Sequence, residues 1–265
     1  MLEAALRRQR WLIGTAVLVL AALAWAYTVH LAGRMCTMDM GDMPMAMDGE
    51  AMMQMHAARW SAADVVTNFV MWAVMMVAMM LPSATPAILI FLRASAQRQD
   101  RGALTPASLF VLGYLVSWGA FSAAATVLQW LLHDFAYLSG SMAFDSRIAA
   151  GAVLVAAGIY QWSPLKYACL RHCQSPIGFL FGHWRDGLAG AFRMGLHHGL
   201  YCVGCCWLLM LLLFVVGVMN LAWVAGIAVY VLAEKVFPVG PRLARATGIA
   251  VTLWGVLLLA GRVSL

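Results

Sequence analysis

Charge is scarce in this chain of 265 residues: Asp, Glu, Lys and Arg make up 11% of it, against 64% hydrophobic residues and a mean hydropathy of +0.84. So few ionic groups cannot cover the apolar surface of a soluble domain this size, which excludes that class. The short alternating runs of a membrane β-barrel are missing, as is any internal repeat of the kind that marks many transporters. Connecting segments are too short for a soluble catalytic domain, so chemistry must use helices and the loops between them. Cysteine occurs only six times and forms no paired CxxC knuckle, which excludes a zinc-finger pattern.

What is abundant is uncharged length. Stretches near 11–32, 64–92, 107–132, 147–161, 197–217, 221–237 and 246–261 are apolar enough to cross roughly 30 Å of hydrocarbon as helices of about 20 residues. The expected fold class is therefore all-α, a polytopic transmembrane helix bundle of about seven spans, forming a single integral membrane domain over residues 1–265. The first span starts with basic residues, as a secretory signal does, but its apolar run exceeds a usual signal core, so a retained helix is expected.

The formal net charge of +6 does not point to nucleic acid, because the basic residues sit in loops beside apolar spans. With the N-terminus cytoplasmic and the C-terminus outside, only Arg34, Arg59, Arg147 and Arg262 of the 17 basic residues fall outside. That asymmetry is the positive-inside pattern. It makes residues 33–63 an extracytoplasmic loop and residues 162–196 a cytoplasmic one, and it predicts a multi-pass protein of the bacterial inner membrane whose first partner is lipid.

Sulfur is sorted along this path. The outer segment holds Met38, Met40, Met43, Met45 and Met47, with Met52, Met53, Met55 and His56 following, broken by Gly, Pro and acidic residues. Soft thioethers spaced this closely suit Cu(I) better than Mg, Ca or Zn, and methionine cannot be lost to disulfide formation in an oxidising compartment. Nearby acids Asp39, Asp42, Asp48 and Glu50 attract cations without building a rigid oxygen cage. In the second span, Met71, Met75 and Met79 recur at four-residue steps and form a thioether stripe beside Met76 and Met80. Methionine also fills irregular helix packing, so the stripe reads either as a relay or as core. Pro82 and Pro86 are expected to open the helical ladder near Ser83 and Thr85.

Five of the six cysteines fall on the cytoplasmic side. Cys169 and Cys173 lie one helical turn apart with His172 between them, and His198, Cys202, Cys205 and Cys206 recur along one face of the fifth span. Two such sets are more than packing requires, and they make an inner metal site the expectation, with Cu(I) as the ion and Zn as the alternative. Gly195, Gly199 and Gly204 on the same span would let a neighbouring backbone approach closely. His133, His183 and His197 read as hydrogen-bonded interfacial residues, while Glu234 and Lys235 pair or anchor the end of the sixth span.

Three segments, MWAVMMVAMMLPSATP at 71–86, YQWSPLKYACLRHCQSP at 160–176 and GLYCVGCCWLLM through AEK at 199–235, together resemble a bacterial family described as predicted metal-binding integral membrane proteins, domain of unknown function 2182. The resemblance implies metal binding and membrane insertion but no settled substrate, reaction or partner. Trp162 and Ser163 depart mildly from the family's wording, and the methionine-rich segment looks like an elaboration on it.

Ligand chemistry then sets the functional expectation. Cu(I) is collected by the outer methionines, relayed by the Met71, Met75, Met79 stripe and received by the inner thiols, for transport or delivery to a cytoplasmic acceptor. This makes the chain a transporter or metal-binding protein rather than an enzyme. Two other classes stand beside it: a thiol- or quinone-linked oxidoreductase, disfavoured by thiols on the reducing side and by the lack of a quinone or haem signature, and a non-catalytic metal-binding subunit of a membrane complex.

Overall fold

The computed structural model describes residues 2–41, 60–98, 103–134 and 146–263. All regular structure among them is helical: α1 Leu2–Gly41, α2 Ala62–Arg98, α3 Leu104–Asp134, α4 Arg147–Tyr160, α5 Pro164–Gln174, α6 Pro176–His183, α7 Gly187–Leu211, α8 Leu213–Val216, α9 Leu221–Val236 and α10 Gly240–Leu259. The first helix runs through Gly41, beyond Gly33 where the outer segment was expected to begin.

Helix starts follow local chemistry. Ser61 and Asp64 cap α2 reciprocally, the Ser61 N–H donating to Asp64 Oδ2 at 2.8 Å and the Asp64 N–H to Ser61 Oγ at 3.3 Å. Ser163 caps α5 with Pro164 at its first position, where a missing N–H costs nothing, and Asn220 caps α9 through Trp223 N–H at 3.4 Å. Pro82 and Pro86 were expected to break α2, yet the helix runs through both. At Met80, just before the first proline, the carbonyl accepts hydroxyls from Ser83 at 2.8 Å and Tyr114 at 3.0 Å.

Among the described residues, five helices are long and apolar enough to span a membrane: Arg8–Arg34 within α1, then α2, α3, the α7–α8 stretch to Val216, and α10. The α4–α5 pair, bent by 63° at Gln161, makes a sixth if it counts as one span. The expected count of seven is neither reached nor excluded by these lengths; α9, the remaining candidate, has 16 residues against the roughly 20 that the hydrocarbon core takes. What was expected as a cytoplasmic loop over 162–196 contains α5, α6 and the start of α7.

The core lies between α2, α3 and α7, where Trp72, Met75, Met76, Phe91, Phe110, Tyr114 and Trp118 are buried. The spanning windows of α1 and α10 are only 22% buried, and large apolar residues such as Leu18, Leu23, Leu253 and Val256 face outward. An apolar exterior over a close-packed interior suits lipid as solvent. Helices α3 and α7 meet through glycine: a Cβ on Gly195 would strike the Phe110 backbone, and one on Gly199 would lie 2.5 Å from Ser117 Oγ. The close approach expected of Gly195 and Gly199 is therefore present, and it lets Ser117 Oγ donate to the Leu196 carbonyl at 2.9 Å.

Gly195→Ala should force α3 and α7 apart and lower stability by about 1–3 kcal/mol, the usual cost of overpacking. Gly119→Ala, with nothing within 4 Å of the added carbon, should be close to neutral. Thermal unfolding of both variants in detergent checks the contrast.

Candidate functional site

The thiols expected to converge do so in part. Helix α5 supplies Cys169 and Cys173, and one face of α7 supplies His198, Cys202, Cys205 and Cys206. Cys173 and Cys206 lie close enough to Cys202 and Cys205 to interact with both. Cys202, Cys205 and Cys206 are buried, and all five described cysteines are free. Cys169 stands against the gap left by Gly204, where an added Cβ would lie 2.8 Å from its sulfur.

The sulfurs do not point at one shared centre. Cys205 and Cys206 turn their S–H groups back to the Cys202 carbonyl, at 3.1 and 3.0 Å. Among the described residues no three His, Cys, Asp or Glu side chains are arranged to hold a metal ion. Cys202 itself is engaged from two sides, by Tyr114 Oη at 3.1 Å and by the Lys235 ammonium, which donates to its sulfur at 2.9 Å.

Lys235 is the residue that sequence reasoning missed. It was expected to pair with Glu234 or to anchor the end of its helix near the headgroups. Instead it is buried, donates to Ser83 Oγ at 3.2 Å and lies 4.0 Å from Met80 Sδ as well as against Cys202. Glu234 faces the other way and pairs with Lys166 at 2.7 Å, both side chains fully buried. Gln161 accepts from Lys166, its amide reaches Tyr230 Oη at 3.4 Å, and Tyr230 in turn donates to Glu234 at 3.4 Å. Glu234 Oε2 has no hydrogen-bond partner. The available signal was a Glu-Lys pair inside an apolar run, because ionisable residues in such runs face inward to partners.

The expected stripe of Met71, Met75 and Met79 is buried, with Met76 and Met80, along the face of α2 that packs into the core. Its inner end is Met80, at the edge of the thiol pocket through Lys235. His198 is buried against Phe110, Tyr114 and Phe179, and its Nδ1 has no hydrogen-bond partner. His172 stacks on Tyr201 with ring centres 4.1 Å apart and donates its Nδ1–H to the Ala168 carbonyl at 2.8 Å. Met43, Met45 and Met47 lie outside the described residues, and Met38 and Met40 are placed only as backbone at the end of α1.

These observations define a class: an all-helical chain with five or six helices fit to span a membrane, carrying free thiols, thioethers and a buried ammonium in one interior pocket. A family model, PpoB2, described as a copper chaperone, matches residues 69–258, and the chain belongs to that family. The match carries a copper description rather than the metal-binding membrane family name that the motifs resembled. It begins beyond the methionine-rich segment, which is thus outside the matched region. No curated protein and no solved structure matches the chain.

Glu234→Gln removes the carboxylate paired with the fully buried Lys166. An uncompensated buried cation should cost about 3–5 kcal/mol, and Lys166→Met in the same chain should restore part of the loss. Melting temperatures of the single and double variants test this.

Proposed function

We propose that this chain is a membrane-embedded Cu(I) carrier that holds the ion among the thiols of Cys173, Cys202, Cys205 and Cys206 and delivers it to an acceptor. The observation that carries the reading is the gathering of four free thiols, buried Cys202, Cys205 and Cys206 on α7 and half-buried Cys173 on α5. Thiolates are the softest protein ligands, and Cu(I) is the ion they select most strongly among those a copper chaperone handles. Loading requires small side-chain rotations, since Cys205 and Cys206 must leave the Cys202 carbonyl and Lys235 must yield its place beside Cys202. Cys169 and His198 border the pocket and are further ligand candidates, the latter through its unpartnered Nδ1.

In this reading Met71, Met75 and Met79 pass the ion along α2 toward Met80 and the pocket, and the methionines from Met38 to Met47 collect it outside. Thioether binds Cu(I) less tightly than thiolate, so the path runs downhill inward. Support comes from the buried run of methionines ending beside the thiols. With the α4–α5 pair taken as one span, the distribution of basic residues favours the cytoplasmic side of a bacterial inner membrane for the thiols, and there a cytoplasmic acceptor or partner subunit would empty the site.

Protein purified in mild detergent should retain about one Cu(I) per chain against a weak chelator. Cys202→Ser combined with Cys206→Ser should abolish that stoichiometry with the chain still monodisperse; unchanged copper content would overturn the site. Deleting residues 38–55 should slow copper acquisition by cells at low supply and leave the purified stoichiometry intact. Equal accumulation would remove the collecting role from this segment.

A further inference from the structure

Beside the thiols, two imidazoles lie against one tyrosine and a third adjoins them. The His172 ring lies parallel to Tyr201, with 4° between the planes, and the His183 ring centre is 5.9 Å from His172 and 6.2 Å from Tyr201. His197 follows at 6.5 Å from His183. The cluster adjoins the thiol pocket through the chain itself, because His172 precedes Cys173 and Tyr201 precedes Cys202. It is also less deeply placed, since His172, His183 and His197 are half-buried while Cys202, Cys205 and Cys206 are buried.

Two of these rings share a tether. His172 Nδ1 is 2.8 Å from the Ala168 carbonyl, and His183 Nδ1 is 3.1 Å from the Phe179 carbonyl, each four residues back. A carbonyl only accepts, so in both rings Nδ1 carries a proton, and in the neutral ring the lone pair is left on Nε2. Neither Nε2 has a hydrogen-bond partner among the described residues. A backbone carbonyl on Nδ1 is the usual device by which proteins fix the tautomer and aim the ring of a metal-binding histidine.

The spacing is compatible with one simple coordination. With metal–nitrogen bonds of about 2.0 Å, a near-linear N–metal–N pair puts two imidazole centres about 6 Å apart. His172 and His183 stand at 5.9 Å. Linear two-coordination is a habit of closed-shell Cu(I), which has no ligand-field preference for a higher number, whereas Zn(II) takes four ligands in structural sites. No third His, Cys, Asp or Glu among the described residues completes such a set here.

We propose that His172 and His183 form a second, two-coordinate Cu(I) site beside the thiol pocket. It rests on the reading of this chain as a Cu(I) carrier and adds a site that the thiols do not contribute to. Imidazole is a harder ligand than thiolate, so this site is the weaker of the two and holds the ion nearer the surface. An ion moving between the pocket and a partner would then have an intermediate station one residue away from Cys173.

The test titrates the full-length protein in mild detergent with Cu(I) against a chromogenic chelator. Wild type should take up two equivalents, the second about tenfold or more weaker than the first. His172→Gln and His183→Gln should each remove the second equivalent and keep the first. Cys202→Ser with Cys206→Ser should do the reverse, so failure of the thiol site and failure of the imidazole site give different curves. X-ray absorption on that cysteine variant should show nitrogen scatterers in two-coordinate geometry. Uptake curves that are the same in wild type and in both histidine variants overturn the proposal. A measurement without mutation stands beside it: Cu(I) should protect His172 and His183 from diethyl pyrocarbonate, read by mass spectrometry, while His133 stays reactive. Equal labelling with and without Cu(I) also overturns it.

Discussion

An ammonium inside an apolar bundle has no water to turn to, and this chain buries two of them within one small region. Each is held by groups drawn from distant parts of the sequence. Lys166 takes Glu234 and Gln161, which ties the α4–α5 corner to α9. Lys235, the next residue along α9, takes Ser83 from α2 and Cys202 from α7. Two adjacent residues thus fasten four parts of the bundle together. The pocket wall depends on these contacts, because the ammonium against Cys202 sets where that sulfur sits.

The arrangement of the thiols follows from the same constraint. Close approach of α3 and α7 at Gly195 and Gly199 brings Tyr114 to Cys202, and the hydroxyl reaches both that sulfur and the Met80 carbonyl. Met80, Tyr114, Cys202 and Lys235 come from four different helices and make one polar island in an apolar interior. The island sets soft sulfur against a hard cation, with Lys235 Nζ 2.9 Å from Cys202 Sγ and 4.0 Å from Met80 Sδ.

Much of the architecture was legible because membrane helices must satisfy their own backbone and therefore announce themselves as apolar length. The helical class, the spanning lengths of α2, α3 and α7 and the glycine contacts at Gly195 and Gly199 all follow from that rule. The count was harder to read, since α9 is short for a span and a Gln-Trp-Ser corner at 161–163 bends α4 away from α5. Within the site, the four-residue spacing of Cys202 and Cys206 gave their common face directly. Lys235 was not legible in the same way. Its partners lie 33 and 152 residues away, and Glu234 beside it points to a different lysine, so neighbours in sequence supplied the wrong pairing.

The first helix has a different standing from the rest. It packs chiefly on α2, most of its spanning window faces outward, and the family match begins beyond it at residue 69. Among the described residues, the contacts that join Met80, Tyr114, Cys202 and Lys235 use no side chain from α1. The first helix thus adds lipid-facing area without adding to the polar island, and changes along it leave those contacts in place.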